Sequence, residues 1–155
     1  MILADTNVLA RLIQPAHRHP QAAVGSVSRP AVEEGEEFAV SLHSLYELYF
    51  MMTKPVASNG FGYAAKRACA EMAALETLFL LLPETSTAYQ TWKGLLEKYG
   101  PVNRRCFDAK LVANMIENGI RRILTFNDHD FKGFAEIAEI ATLNPFDRLG
   151  VRRVP

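Results

Sequence analysis

Short apolar runs recur along this chain, each followed by a segment with helical spacing, and few folds accept that alternation. Ile2-Leu3-Ala4, Phe38-Ala39-Val40-Ser41, Phe79-Leu80-Leu81-Leu82 and Arg122-Ile123-Leu124-Thr125 are too short for helices and read as buried strands. A fifth strand is expected within Ile137 to Leu143. Val8, Leu9, Leu12 and Ile13 have helical spacing, and Pro15 stops that helix. Residues 20–36 read as helix in pieces, broken near Gly25 and Pro30, with Glu33, Glu34, Glu36 and Glu37 in a solvated stretch. Leu42 to Thr53 is a strongly apolar helix ended by Lys54-Pro55, and Asn59-Gly60-Phe61-Gly62 is a turn signal. Tyr63 to Leu78 and Thr85 to Tyr99 read as helices, the second stopped by Gly100-Pro101. Phe107, Leu111, Met115 and Ile116 share one face of a last helix that Gly119 ends. Strands separated by helices imply a parallel sheet covered on both faces.

The bulk properties fit one domain spanning residues 1–155, with 49% hydrophobic and 22% charged residues, as in a folded globular protein. No apolar run approaches the ~20 residues of a membrane span, so no membrane partner is expected. The N-terminus starts inside a strand-like segment without a basic region before it, which argues against a signal peptide and for the cytoplasm. Cys69 and Cys106 make neither a disulfide framework nor a zinc motif. Cys69 reads as helix core and Cys106 as an incidental thiol. The net charge is zero, unlike a protein that lives by nonspecific DNA binding. A nuclease remains compatible with this, since arginines can offset an acidic cluster.

Four segments carry candidate acids. Asp5 ends the first strand, beyond which ligands bind in parallel sheets. Glu47 sits inside the apolar stretch Leu45-Tyr46-Glu47-Leu48-Tyr49-Phe50. Asp108 opens a helix, and Asp128 and Asp130 lie just past the fourth strand in Phe126-Asn127-Asp128-His129-Asp130-Phe131. Each has a plainer reading: Asp5 as a helix N-cap, Glu47 on an exposed stripe, Asp108 as a favourable charge at a helix start, Asp128 and Asp130 as turn or cap residues. Convergence of two or three would suit a hard divalent cation, which takes oxygen ligands and keeps several waters. Such a cation activates a water and neutralises charge on a phosphodiester.

The segments Leu3-Ala4-Asp5-Thr6-Asn7-Val8-Leu9, Ser44-Leu45-Tyr46-Glu47-Leu48, Asp108-Ala109-Lys110-Leu111-Val112-Ala113 and Ile123 to Phe131 occur in one order. With Asn118-Gly119-Ile120 and Thr142-Leu143-Asn144-Pro145, they make the chain resemble the PIN-domain ribonucleases, most of all the VapC-type toxins of bacterial toxin–antitoxin pairs. The resemblance runs over essentially the whole chain. It implies an α/β/α three-layer sandwich with a mostly parallel sheet of about five strands. It also implies an Mg²⁺- or Mn²⁺-dependent endoribonuclease acting on single-stranded or structured RNA, a small antitoxin protein as partner, and a homodimer. The acids carry over as Asp5, Glu47 and Asp108, all three as metal ligands. For the fourth position Asn127, Asp128 and Asp130 compete, with Asp130 favoured and Asn127 as a polar helper. Related toxins often have His immediately before the third acid, where this chain has Phe107.

Several neighbours bear on the same site. Thr6 is placed to hydrogen-bond Asp5 and orient it, or simply to cap the helix. Arg104 and Arg105, just before Asp108, and Arg11, after the first motif, suit phosphate contact or plain solvation. His17, His19, His43 and His129 follow no zinc-ligand pattern and read as structural or surface residues. Lys110 is placed to pair with an acid. Tyr46, Tyr49, Phe50, Met51 and Met52 crowd one short helix with more large apolar groups than one buried stripe requires, which suggests a groove for the antitoxin unless the helix is buried on all sides. Two other functions compete. One is a metal-dependent phosphatase or phosphotransferase using Asp5 as nucleophile, although its pattern wants an acid where Asn7 stands. The other is a non-catalytic protein-binding module of the same fold.

Overall fold

The structure is a computed structural model that describes residues 1–14 and 19–149. Strands β1 (Ile2–Ala4), β2 (Phe38–Ser41), β3 (Leu80–Leu82), β4 (Arg122–Leu124) and β5 (Ala141–Leu143) form one sheet. Its order is β3-β2-β1-β4-β5, with every neighbouring pair parallel. The connections hold α1 (Thr6–Ile13), α2 (Pro20–Glu33), α3 (Leu42–Thr53), α4 (Ala65–Glu76), α5 (Ser86–Tyr99), α6 (Arg105–Glu117), α7 (Asp128–Ala138) and α8 (Pro145–Leu149). No helix among the described residues is long and apolar enough to cross a membrane.

Strand side chains alternate between faces, and the two cores follow from that. Ile2, Ala4, Phe38 and Val40 pack with Val8 and Leu9 of α1 and Leu45, Leu48 and Met52 of α3. Leu3, Ala39, Leu82 and Ile123 pack the opposite way, with Leu95 of α5, Leu111, Val112 and Met115 of α6, and Phe131 and Phe134 of α7. This is the expected α/β/α sandwich with a PIN-like parallel sheet. The chain steps outward from β1 through β2 to β3, then returns to β4 on the other side of β1. The strand order therefore reverses between β1 and β4, which opens a crevice at their carboxyl ends.

Local signals place the elements. Ser41 caps α3 by accepting a hydrogen bond from the Ser44 amide at 3.0 Å, and Thr85 caps α5 by accepting from Ala88 at 3.1 Å. Gln14 ends α1 in an extended conformation, as a residue before proline prefers. Pro15 itself, the expected stop, lies outside the described residues, as does His17. At Gly60 an added Cβ would fall 2.0 Å from the Lys54 carbonyl oxygen, so the turn after α3 admits only glycine there.

Several expectations are corrected. Residues 20–33 form one helix, unbroken at Gly25 or Pro30. Pro30 lies in its last turn, and the small buried stripe Ala22, Ala23, Ser26 and Pro30 packs closely enough to override local propensity. Glu36 is not solvated: it accepts two hydrogen bonds from Arg122, both 2.9 Å, and so joins the approach to β2 with the start of β4 beneath β1. The third strand is an edge, with Leu80 and Leu81 54% and 41% exposed; Leu82 alone in β3 is buried. Cys69 is exposed, because the buried stripe of α4 is Ala68 and Leu75 and Cys69 lies about 100° round from Ala68. Of the expected α6 face, Leu111 and Met115 are buried, but Phe107 and Ile116 are exposed. The helix instead buries every residue from Leu111 to Met115 between the sheet, α5 and α7.

This assignment makes a contrast measurable by urea unfolding. Leu48→Ala should cost about 2–5 kcal/mol, whereas Cys69→Ser should change stability by no more than ~0.5 kcal/mol. A large cost at Cys69 would contradict the placement of α4.

Candidate functional site

Backbone pairing continues one residue past the central strands. The Asp5 amide donates to the Leu124 carbonyl at 3.0 Å and the Thr125 amide to the Leu143 carbonyl at 3.0 Å, so Asp5 and Thr125 lie side by side at the crevice. Asp5 stands at the N-cap of α1, but its carboxylate makes no cap bond to that helix's amides beyond the first. It turns toward β4, where its Oδ2 accepts from the Thr125 hydroxyl at 2.7 Å and from Asn7 Nδ2 at 2.6 Å. Asn7 Nδ2 also donates to Thr125 Oγ1 at 2.9 Å, and its Oδ1 accepts from the Phe126 amide at 3.0 Å. Only the amide oxygen can meet a backbone N–H, which fixes the orientation of Asn7. Thr125 Oγ1 accepts further from the Asn127 amide at 3.0 Å. That hydroxyl thus donates once and accepts twice, its full capacity.

Glu47 arrives from α3 and is oriented by a residue expected to serve Asp5. The Thr6 hydroxyl donates to Glu47 Oε2 at 2.8 Å, while the backbone N–H of Thr6 serves the Asp5 carboxylate. His43, one turn before Glu47, lies 3.6 Å from its Oε1, with a buried Nε2 that has no hydrogen-bond partner. Its ring stacks on Phe107, centroids 5.2 Å apart. Asp108 lies in the first turn of α6 and Asp130 in the first turn of α7. Asp128 accepts from Asn144 Nδ2 at 3.2 Å. Asn127 contributes backbone: its carbonyl accepts from the Asp130 amide at 3.0 Å.

The acids feel one another. Burial pushes the Asp5 carboxyl from 3.8 up to about 6; Thr125 opposes the shift, and the charges of Glu47 and Asp130 add to it. Asp108 is likewise raised from 3.8 to about 6, first by burial, then by Asp130, Asp5 and Glu47, with Arg105 opposing. Burial also raises Glu47, but His43, Thr6 and Arg104 outweigh it and hold the carboxyl below its usual value. Asp5, Glu47, Asp108 and Asp130 thus lie close enough that the charges of Glu47 and Asp130 bear on Asp5, and those of Asp130, Asp5 and Glu47 on Asp108. Arg104 and Arg105 flank it, Arg105 reaching the Asp130 carbonyl at 3.5 Å. Arg11 lies over the Phe126 ring at 4.1 Å. Lys110 pairs with an acid outside the cluster, Glu84, at 2.6 Å.

Neither Asp5 nor Asp108 has an ion-pair partner among the described residues. Among those residues, no group of three or more His, Cys, Asp or Glu side chains is arranged to hold a metal ion directly. The donors are nonetheless all hard oxygens, and two resist ionising because they are buried beside other acids. That suits a hydrated cation reached partly through water.

Asn7, Thr125 and His43 are the site residues that sequence reading did not single out in these roles. Asn7 had a signal, since it stands on the same first turn as Asp5. Thr125 and His43 act through strand pairing and helix packing.

A family model described as PIN domain matches residues 2–140. Comparison with curated proteins finds no match. Among solved structures, the chain is similar to one in the VapBC2 complex of Rickettsia felis bound to a promoter DNA fragment. That match has a TM-score of 0.67 and 18% identity, covering 93% of this chain and 98% of that one. It is similar to VapBC-1 from nontypeable Haemophilus influenzae, with a TM-score of 0.63 and 16% identity over 94% and 98% of the two chains. It is also similar to Mycobacterium tuberculosis VapC20, a Sarcin-Ricin loop cleaving toxin, with a TM-score of 0.57 and 22% identity over 79% and 87%.

The raised carboxyls fix the sign of a pH effect. A carboxyl that binds its proton more tightly when folded contributes stability that is fully present below its unfolded value, here 3.8, and lost as pH rises to about 6. Asp108→Asn removes its share of that loss. The metal-free variant should therefore melt above the parent at about pH 7, by on the order of 1 kcal/mol after allowing for partial exposure. The difference should shrink as pH falls from about 6 to about 4. A variant that melts lower at neutral pH would contradict the clustering.

Proposed function

This chain belongs to the PIN-domain family, and from that premise we propose that it is a divalent-metal-dependent endoribonuclease, the toxin of a toxin–antitoxin pair. One observation carries the reading: Asp5 and Asp108, on different elements, are both raised to about 6, first by burial and then by the charges of Glu47 and Asp130, with no cationic partner in contact among the described residues. Asp5, Asp108 and Glu47 would hold Mg²⁺ or Mn²⁺, with Asp130 as the fourth acid. A cation bound there supplies an activated water and offsets charge on the phosphodiester. The chain's own groups do the rest. Thr125 and Asn7 fix Asp5, Thr6 fixes Glu47 with His43 packed beside it, and Arg104 and Arg105 offer phosphate contacts at the rim.

The solved relatives support the partner. VapBC2 and VapBC-1 are complexes, and another similar structure is a toxin–antitoxin complex from Klebsiella pneumoniae. On this chain α3 supplies a matching surface. Tyr46 and Phe50, one turn apart, are 58% and 64% exposed, while Met52 is buried. The helix is therefore not buried on all sides, and its aromatic face adjoins Glu47. A small antitoxin that covers this face and sets a basic side chain against Asp5 or Asp108 would silence the site. The same reading includes a homodimer acting in the cytoplasm. The phosphotransferase alternative loses support because Asn7 is committed to Asp5, Thr125 and Phe126 and offers no acid. The acidic cluster likewise gives a purely binding module no use for its buried charge.

The test is cleavage of single-stranded RNA by purified protein with Mg²⁺ or Mn²⁺, and with chelator as control. Asp5→Asn should lose more than the roughly 10–100-fold that outer-sphere partners cost, with its fold intact by circular dichroism. Asn7→Ala and Thr125→Val should fall within that 10–100-fold range. Cleavage at parental rates by Asp5→Asn would defeat the mechanism. Expression alone should arrest growth, and co-expression of a cognate antitoxin should restore it.

A further inference from the structure

Arg104 and Phe107 stand one turn apart at the start of α6, and each breaks a local rule. Phe107 is 45% exposed, although the helix buries every residue from Leu111 to Met115 and a large ring gains much from burial. The ring is nonetheless held in place, stacked on His43 with centroids 5.2 Å apart. Arg104 is the N-cap of α6, where the helix dipole disfavours a cation. Its guanidinium makes no ion pair or hydrogen bond among the described residues. Asp108, four residues on, has the spacing of a helical ion pair and does not form one with it.

Three other cations near the acids are committed. Arg105 reaches the Asp130 carbonyl, and a Cβ added at Gly133 would lie 3.5 Å from its guanidinium, so this side chain is seated on α7. Arg11 donates to the Asn7 carbonyl at 2.6 Å and lies over the Phe126 ring, and Lys110 pairs with Glu84. Of these four, Arg104 is the one whose charge no side chain or carbonyl answers. It and Phe107 both bear on the acidic cluster. Phe107 immediately precedes Asp108, and the His43 ring on which it stacks lies 3.6 Å from Glu47. At Glu47 burial raises the carboxyl, and the Arg104 charge is among those that outweigh it.

We propose that Arg104 and Phe107 form a nucleotide-binding pair that carries the RNA strand away from the acidic cluster between α3 and α6: the guanidinium grips a phosphate next to the scissile one, and the ring stacks the adjoining base. The inference rests on the ribonuclease reading and deepens it. Residues three apart on a helix are neighbours, with Cβ atoms about 5–6 Å apart, so cation and ring face one nucleotide together. A guanidinium suits a phosphate by its forked donors. An exposed ring suits any base, since every base has a π-face, and this combination of backbone charge with stacking is how single strands are held without sequence preference. A phosphate at Arg104 also supplies the negative charge that the start of α6 favours. The opposite side of the site has no such pair, because Arg11 already covers Phe126.

Binding of a short, fluorescein-labelled single-stranded RNA is measured by anisotropy over a range of salt concentrations, with Mg²⁺, on protein carrying Asp5→Asn so that the probe is not cut. Adding Arg104→Gln should reduce the slope of log affinity against log salt by about 0.7, the share of one phosphate contact on a single strand. Arg104→Lys should keep the slope, and so should Arg11→Gln. Phe107→Ala should weaken binding on the order of 10-fold or more with the slope unchanged, and Phe107→Trp should restore it. Circular dichroism checks that each variant is folded. A slope unmoved by Arg104→Gln, parental affinity in Phe107→Ala, or a slope that falls in Arg11→Gln instead would overturn the pair. Cleavage by the parent is measured in parallel. Cleavage with binding untouched by both substitutions removes the pair and leaves the ribonuclease reading. The expected binding losses without cleavage remove the ribonuclease reading and leave an RNA-binding pair, and neither binding nor cleavage removes both.

Discussion

Asp5 is buried at the end of the central strand, 8% exposed, and the rest of the site is arranged around that fact. A carboxylate taken from water costs several kcal/mol unless something replaces the lost hydration. Here two side-chain donors meet one oxygen, from Thr125 at 2.7 Å and Asn7 at 2.6 Å. Hydrogen bonds to a charged group contribute about 1.5–3 kcal/mol each, which offsets burial only in part. The carboxyl accordingly stays near 6. A residual deficit of positive charge is thus built into the fold.

The strand order determines who shares that deficit. Because β1 lies between β2 and β4, the elements leaving both neighbours open onto the same edge. The helix after β2 brings Glu47, and the segment after β4 brings Thr125 and then Asp130. Asp108 comes from α6, held under the sheet by five consecutive buried residues. At the opposite edge, the paired hydrogen bonds between Glu36 and Arg122 tie β2 to β4 beneath β1. The scaffold is thereby fixed at one end and chemically loaded at the other.

Much of this was legible in the residues. The strand runs and the α3 boundaries at Leu42 and Thr53 follow local rules, and the structure keeps them. Asp5, Glu47 and Asp108 were readable because each sits where a carboxylate is poorly placed as core. What failed was set by tertiary context. Pro30 and Gly25 should break a helix, yet the packing of α2 on small side chains overrides them. Leu80 and Leu81 look like core, and only the sheet order shows that their strand is an edge. Cys69 looks apolar enough to bury, but α4 turns it outward. Thr6 was correctly placed beside the acids and assigned to the wrong one, because which carboxylate its hydroxyl meets depends on the distance from α1 to α3. Among Asn127, Asp128 and Asp130, spacing alone could not choose. Asn144, sixteen residues after Asp128, hydrogen-bonds its carboxylate, a contact that spacing does not reveal.

The central claim is that Asp5 and Asp108 form an electrostatic cluster awaiting a cation. Carbon-13 NMR of the aspartate side-chain carboxyls, titrated with pH with and without Mg²⁺, tests it most directly. The account predicts that these two resonances titrate near 6 in the metal-free protein, and well below that once Mg²⁺ is present, since the cation favours the charged form. Titration of both near 4, unchanged by Mg²⁺, would contradict it.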